Sequence, residues 1–304
     1  MALLDFILNL IGLLLWFNWR AAWFDPLSKS VPATLAGTLR RAEKTHFKRW
    51  HLPLGLLVLL LLRAPLYATF GGALNWTGKV DVMVISIPFN SNAPSYLPML
   101  LYSFYSFGVT LTAFLLWVLF LSVLKSGAPE NDSLRQLLRL HLGRLERWPA
   151  VVKLLLPLLL LTPLWYAASW PLTAWVNLPT PATAVQRMQQ ALLVGVGSYL
   201  AWKYLIVGVL TLYFVSSYVY FGKNPFWQHL EVVARLLLRP LRPLPLRFGK
   251  LDFAAVVGIV LVLVFAWVVE QGIEFPLGND ANGRPKPRWI DVPGLVDLYR
   301  RVSG

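Results

Sequence analysis

The sequence predicts an all-α membrane fold: a six-helix transmembrane bundle built of three helix–amphipathic helix–helix units. Three observations carry this. Hydrophobic residues make up 57% of the 304 and charged residues only 14%, whereas soluble domains carry about a quarter charged. The apolar residues gather into six runs of a length suited to roughly 30 Å of hydrocarbon. The basic residues gather between those runs rather than across the whole chain.

The runs are 3–19, 51–70, 97–124, 150–174, 190–220 and 252–271. A spanning helix needs about 20 apolar residues, so the first run is at the short end. The third and fifth are long enough to tilt or to extend past the hydrocarbon. The N-terminus, Met1-Ala2-Leu3-Leu4-Asp5, has no basic leader and no small-residue cleavage site after its apolar run, which is read as an anchor that stays. Connectors 20–50, 125–153 and 217–250 hold 7, 6 and 6 of the 28 Lys and Arg residues, but only 6 of the 14 acids. Every second loop is therefore basic. Basic short loops stay in the cytoplasm, which puts both termini outside.

Units 1–71, 97–175 and 190–271 follow, separated by outer loops 72–96 and 176–189 and closed by an outer tail 272–304. In residues 133–148, Leu134, Leu137, Leu138, Leu142 and Leu145 keep the 3.6-residue period of one helical face. Arg135, Arg139, Arg144 and Arg147 fill the rest of that segment. Asp132 or Ser133 suits its N-cap, and Pro149 the first turn of the next helix. Residues 224–239 repeat the plan with Leu230, Val233, Leu237 and Leu238, and 32–50 repeat it in more polar form. The β-branched stretch 80–90 reads either as a strand or as an apolar segment on the membrane surface. A short helix is expected near 292–302. Trp19, Trp23, Trp50, Trp148 and Trp227 lie beside the basic connectors, and Trp76, Trp165, Trp170 and Trp175 at the opposite ends, as headgroup-level Trp does.

A net charge of +14 suits nucleic acid, an anionic membrane or acidic partners. Arginine alternating with leucine favours the membrane, because a leucine face enters the interface while each basic residue adds about 1 kcal/mol. No nucleic-acid module is present, and none is expected as a partner. Arg135, Arg139, Arg144, Arg147, Arg235, Arg239, Arg242 and Arg247 are the expected lipid- or partner-binding residues. Pro240, Pro243 and Pro245 end the third amphipathic helix, since each lacks a backbone donor. Asp252 is then expected to start the last helix, where a carboxylate suits the positive end, or to pair with Arg242 or Arg247.

Asp5, Asn9, Arg63, Lys153 and Lys203 fall inside spans, where a charge costs about 2.5–3.5 kcal/mol or more. Lys153 is near a basic end and is expected to snorkel. Lys203 reads first as a snorkelling lysine in a tilted helix. The alternative is a buried pair with Asp5 or Glu270, or a polar pathway. The chain has no Cys, which excludes disulfides and thiolate-held metals. His46, His51, His141 and His229 show no metal-binding spacing and are read as interface residues. No metal or cofactor is expected. No phosphate loop, dinucleotide fingerprint, nucleophile elbow or paired acids occur within a span, so a non-enzyme is expected.

Residues 236–253 run Leu-Leu-Leu-Arg-Pro-Leu-Arg-Pro-Leu-Pro-Leu-Arg-Phe-Gly-Lys-Leu-Asp-Phe before an apolar helix. This resembles the signature of the YggT (YlmG) family, matched at Leu238, Arg239, Pro240, Arg242, Pro243, Gly249, Leu251 and Asp252. The likeness covers about 45 residues. It is faint in the other two units, and family members usually have two such units. The resemblance implies a multi-pass protein of the bacterial inner membrane, in a family linked to osmotic tolerance, cell division and plastid cytochrome assembly and not established as enzymes. The expected function is a non-enzymatic scaffold, assembly factor or accessory subunit of a membrane complex that engages anionic lipids and other membrane proteins, or self-associates. The alternative is a small ion or solute transporter or channel linked to osmotic stress.

Overall fold

The computed structural model describes residues 1–24, 50–74, 76–90, 96–124, 133–176, 181, 183–219, 225–241, 247–248, 251–273 and 292–303. The amphipathic segment expected over 32–50, apart from Trp50, together with Asp132, Arg242, Pro243, Pro245, Gly249 and most of the outer tail, lies outside these residues.

In chain order the elements are α1 (Ala2–Phe24), α2 (His51–Ala73), β1 (Thr77–Val82), β2 (Ile85–Asn90), α3 (Leu97–Leu124) and α4 (Ser133–Leu142). They continue with α5 (Ala150–Trp175), α6 (Ala184–Gly197), α7 (Ala201–Tyr218), α8 (Pro225–Leu237), β3 (Arg247–Phe248), β4 (Leu251–Asp252) and α9 (Ala254–Gln271). β5 (Gly272–Ile273), β6 (Val292–Pro293) and α10 (Leu295–Ser303) complete them.

Six helical stretches are long and apolar enough to cross a membrane: Ala2–Ala21, His51–Gly71, Leu97–Leu124, Ala150–Ala174, Ala184–Tyr218 and Ala254–Gln271. They match the six apolar runs. Their surfaces face outward to an extent water does not tolerate. Only 11% of the apolar window of α1 is buried, and Leu3, Phe6, Leu154, Leu159, Phe265 and Trp267 are all exposed, so the chain is a multi-pass membrane protein. Pro65 in α2 and Pro157, Pro163 and Pro171 in α5 sit inside helices. Membrane helices tolerate this where side chains re-satisfy the freed carbonyls.

The fifth stretch differs from its reading as a single helix. A 3₁₀ turn at Ser198–Leu200 divides it into α6 and α7, and its 35 residues extend roughly 52 Å at 1.5 Å per residue. That exceeds roughly 30 Å of hydrocarbon, so the rod must tilt or extend past it. Thr183 and Gln186 close a reciprocal capping box at its start.

The contacts divide the chain into two compact units. Unit 1 comprises 1–80, 88–112 and 139–143; unit 2 comprises 81–87, 113–138 and 144–304. In unit 1, α1 packs on α2, and the first part of α3 closes against both. The contact is tight at Gly12, where a Cβ would meet Phe107 Cε2 at 2.7 Å. Ser103 Oγ donates to Leu60 O at 2.8 Å. An aromatic cluster of Tyr67, Trp76, Tyr102 and Phe89 seals one end, with ring centroids 5.1–5.6 Å apart. Phe17 meets His141 edge-on at 5.2 Å. In unit 2, α5 packs on α6, α7 on α9, and α10 on α6 and α9. α8 joins α7 and α9 through Leu210, Ala234, Leu238 and Ala255.

Residues 80–90 take the strand reading. β1 and β2 pair as a hairpin, with Val80, Ile87 and Phe89 buried in the alternation a half-buried ribbon requires. Its turn places Met83 at φ 51, and Val84 N donates back to Val82 O at 2.5 Å. The expected short helix near 292–302 is α10. The antiparallel β5–β6 clip, Gly272↔Pro293 and Ile273↔Val292, fastens it to the end of α9. Gly272 has φ +80, and a Cβ there would lie 2.3 Å from Val292 O, so only glycine fits.

The amphipathic segment 133–148 breaks at Gly143, whose φ of +57 ends α4 in the left-handed conformation common after a helix. Gly143–Arg147 continues as a 3₁₀ helix. Pro149 is the N-cap of α5 rather than a residue of its first turn. Asp252 does not start the last helix. It lies in β4, opposite Arg247 in β3, and Phe253 is the N-cap of α9.

Candidate functional site

The charged residues inside the spans form two separate clusters. In unit 1, Arg63 of α2 is 0% exposed. Its Nη2 donates to Asp5 Oδ1 at 2.6 Å and to Tyr67 OH at 2.8 Å. Its Nη1 donates to Asn9 Oδ1 at 2.8 Å, and its Nε to Tyr67 OH at 3.0 Å. Tyr67 OH passes its own hydrogen to Asp5 Oδ1 at 2.7 Å. Asn9 Nδ2 donates to Asp5 Oδ2 at 3.2 Å and to Ser106 Oγ at 2.9 Å. Ser106 Oγ reaches Asp5 Oδ2 at 3.1 Å.

Three helices supply this network, each with residues four apart or facing: Asp5 and Asn9 on α1, Arg63 and Tyr67 on α2, Ser106 on α3. A guanidinium cannot release its proton, so in hydrocarbon it needs a carboxylate and acceptors, and these are gathered around it. Sequence reasoning named Asp5, Asn9 and Arg63 but missed Tyr67 and Ser106. The signal available was the i, i+4 spacing of Asp5–Asn9 and Arg63–Tyr67 on consecutive spans.

In unit 2, Lys203 of α7 pairs with Glu270 of α9, with side chains 16% and 22% exposed. The Lys203 ammonium also lies 5.0 Å from the Tyr204 ring centroid. This overturns the favoured reading of Lys203 as a lone snorkelling lysine. Of the two partners considered for it, Glu270 takes the role and Asp5 belongs to Arg63. Lys153 does not snorkel either. It is 4% exposed, and its Nζ donates to Ser122 Oγ at 2.8 Å and Glu146 O at 2.6 Å, so its charge is met by the chain's own oxygens. Trp165, expected at the headgroup level, is 6% exposed, turned into the bundle.

Two indoles hold α7 to the second half of α3. Trp117 Nε1 donates to Ala201 O at 2.8 Å, and Trp202 Nε1 to Leu116 O at 3.2 Å. They clasp the start of α7, next to the 3₁₀ turn. Gly195 allows α6 to approach α5 closely, since a Cβ would sit 2.3 Å from Thr162 Oγ1. Gly197 receives Val84 of the hairpin turn in the same way, at 2.2 Å.

The basic amphipathic residues divide by surroundings. Arg135 and Arg139 lie on α4, and Arg144 and Arg147 on the following 3₁₀ helix. Arg20 Nη2 donates to Leu140 O at 2.9 Å and His141 O at 3.1 Å, placing a cation on the negative end of α4. On α8, Arg235 pairs with Glu231 one turn earlier, both well exposed at 60% and 47%. Arg235 and Arg239, with Val232 and Leu236, line an open groove of about 350 Å³. Of the family-like motif, Leu238 is buried, Arg239 and Pro240 form a short 3₁₀ turn, and Leu251 and Asp252 lie in β4.

Among the described residues no group of three His, Cys, Asp or Glu side chains is placed to hold a metal ion. The chain matches no protein-family model, no curated protein and no solved structure.

Proposed function

We propose that this protein is a non-enzymatic scaffold, assembly factor or accessory subunit of a membrane complex, of the kind its YggT-like motif implies. It would reside in a bacterial inner membrane with both termini outside. Its three repeated units would present their basic amphipathic segments to the cytoplasm, where anionic lipids and acidic surfaces of other membrane proteins, or of further copies, are met. The observation that carries this reading is the enclosure of Arg63. Arg63, inside the second span and 0% exposed, is engaged by Asp5, Asn9 and Tyr67 within α1 and α2, which suits a structural rather than a solute-contacting role. Arg144 and Arg147, which follow α4, and Arg235 and Arg239, on and just after α8, are exposed.

The test is purification of the full chain in mild detergent, with mass spectrometry and native sizing. A discrete co-purifying membrane complex, or a defined oligomer, that Arg239→Glu dissociates is the expected outcome. A particle with no protein partner and no self-association rejects the scaffold. A second reading, a small transporter or channel, draws on one feature: the Lys203–Glu270 pair remains partly open. Ion flux in proteoliposomes that Lys203→Ala abolishes would establish it.

A further inference from the structure

α8 has two faces of different chemistry. Leu230, Val233, Ala234 and Leu238 are buried, and Ala234 and Leu238 belong to the cluster with Leu210 of α7 and Ala255 of α9. The opposite stripe is Val232, Arg235, Leu236 and Arg239, the residues of the open groove. Their spacing is i, i+3, i+4 and i+7, so the two arginines stack one turn apart, as do the two apolar side chains.

We propose that this groove is a binding site for one anionic phospholipid. Arg235 and Arg239 hold the headgroup phosphate, and Val232 and Leu236 lie along the first part of an acyl chain. The site rests on reading α8 as an interfacial helix. Charge complementarity is the first argument for this occupant. A guanidinium presents a fork of donors that fits phosphate, and two of them converge on one groove. Position is the second. The buried face of α8 is fastened to α7 and α9, both apolar enough to cross a membrane. Lipid headgroups are therefore the anions nearest at hand. The apolar half of the groove is the third, since a free phosphate has no use for Val232 and Leu236, which are 48% and 36% exposed.

Glu231 sets the affinity. It pairs with Arg235 within the helix, so an incoming phosphate must share or displace it. Neutralising Glu231 frees the guanidinium for lipid.

The experiment is native mass spectrometry of the full chain with added phosphatidylglycerol, phosphatidylcholine or glycerol phosphate, run on the wild type, Arg235→Gln/Arg239→Gln and Glu231→Gln. The site requires preferential retention of one phosphatidylglycerol by the wild type. The double variant loses it by roughly thirtyfold, at about fivefold per basic residue, and Glu231→Gln strengthens it. Equal retention of both lipids, unchanged retention in the double variant, or binding of glycerol phosphate as tight as that of lipid each overturns it. Recovery of partner proteins from the same samples separates this site from the scaffold. Lipid lost with partners kept supports the site and leaves the scaffold standing. Partners lost with lipid kept overturns the site alone.

Discussion

The two units handle intramembrane charge differently. In unit 1 one cation is met by a carboxylate, an amide and a phenol hydroxyl, Ser106 of α3 braces the carboxylate and the amide, and Arg63 is wholly enclosed. In unit 2 Lys203 has a single carboxylate on a neighbouring helix, and both side chains keep some exposure. The difference follows from the cations. Guanidinium has five fixed donors and no neutral form, so isolating it in hydrocarbon demands a built cage. Ammonium is compact and flexible, and one carboxylate with an aromatic face beside it meets much of its need. The first arrangement ties three helices into one body. The second fastens only α7 to α9.

Breaking the cage is the largest effect expected. Arg63→Ala leaves Asp5 buried without its cation, and removal of one partner of a buried pair costs about 3–5 kcal/mol. Thermal unfolding in detergent should show a large loss. The double variant Arg63→Leu/Asp5→Leu should lose much less than Arg63→Ala alone, because no charge is stranded. Ser106→Ala should cost only about 0.6 kcal/mol, the usual value of a neutral hydrogen bond between membrane helices. If Ser106→Ala and Arg63→Ala cost the same, the network is not organised around the guanidinium.

Unit 2 relies more on close backbone approach, and the next effect tests that. Gly195→Ala would place a Cβ 2.3 Å from Thr162 Oγ1, and overpacking of this kind costs about 1–3 kcal/mol. Thr162 Oγ1 is itself buried without a hydrogen-bond partner, so Thr162→Ala alone should be near neutral. Combined with Gly195→Ala it should recover most of the loss. Failure of that recovery in the same melting assay would place the strain elsewhere along α5 and α6.

The spans were the legible part of the fold, because a lipid-facing helix writes its solvent into every residue. All six runs appear at nearly the expected bounds. The amphipathic period was legible for α4 and α8 for the same reason. The break at Gly143 was not, since it depends on one residue taking φ +57. Charge partners were only half legible. Sequence placed Asp5, Arg63 and Lys203 inside spans, but pairing requires the angular position of each helix, which hydropathy does not record. Tyr67 hid among ordinary interface aromatics, and Ser106 among small polar residues that apolar helices carry in any case. Lys153 misled because its place beside a basic connector suggested open water, whereas Ser122 and the Glu146 carbonyl stand over it.

A more modest effect sharpens the comparison most. A cycle of Lys203→Met, Glu270→Gln and the double variant measures the coupling of the pair directly. Both side chains are less than a quarter exposed, so screening is incomplete, yet neither is sealed as Arg63 is. A coupling of about 1 kcal/mol is expected, above the median for surface pairs and below that of a broken buried pair. Exchange of the charges, Lys203→Glu with Glu270→Lys, should restore most of the stability, because one contact carries the whole interaction. The same exchange in unit 1, Arg63→Asp with Asp5→Arg, should not. There the guanidinium also needs Tyr67 and Asn9 at fixed positions, and moving it to α1 strands those acceptors. Equal recovery in both units would mean that the cage contributes nothing beyond its single ion pair.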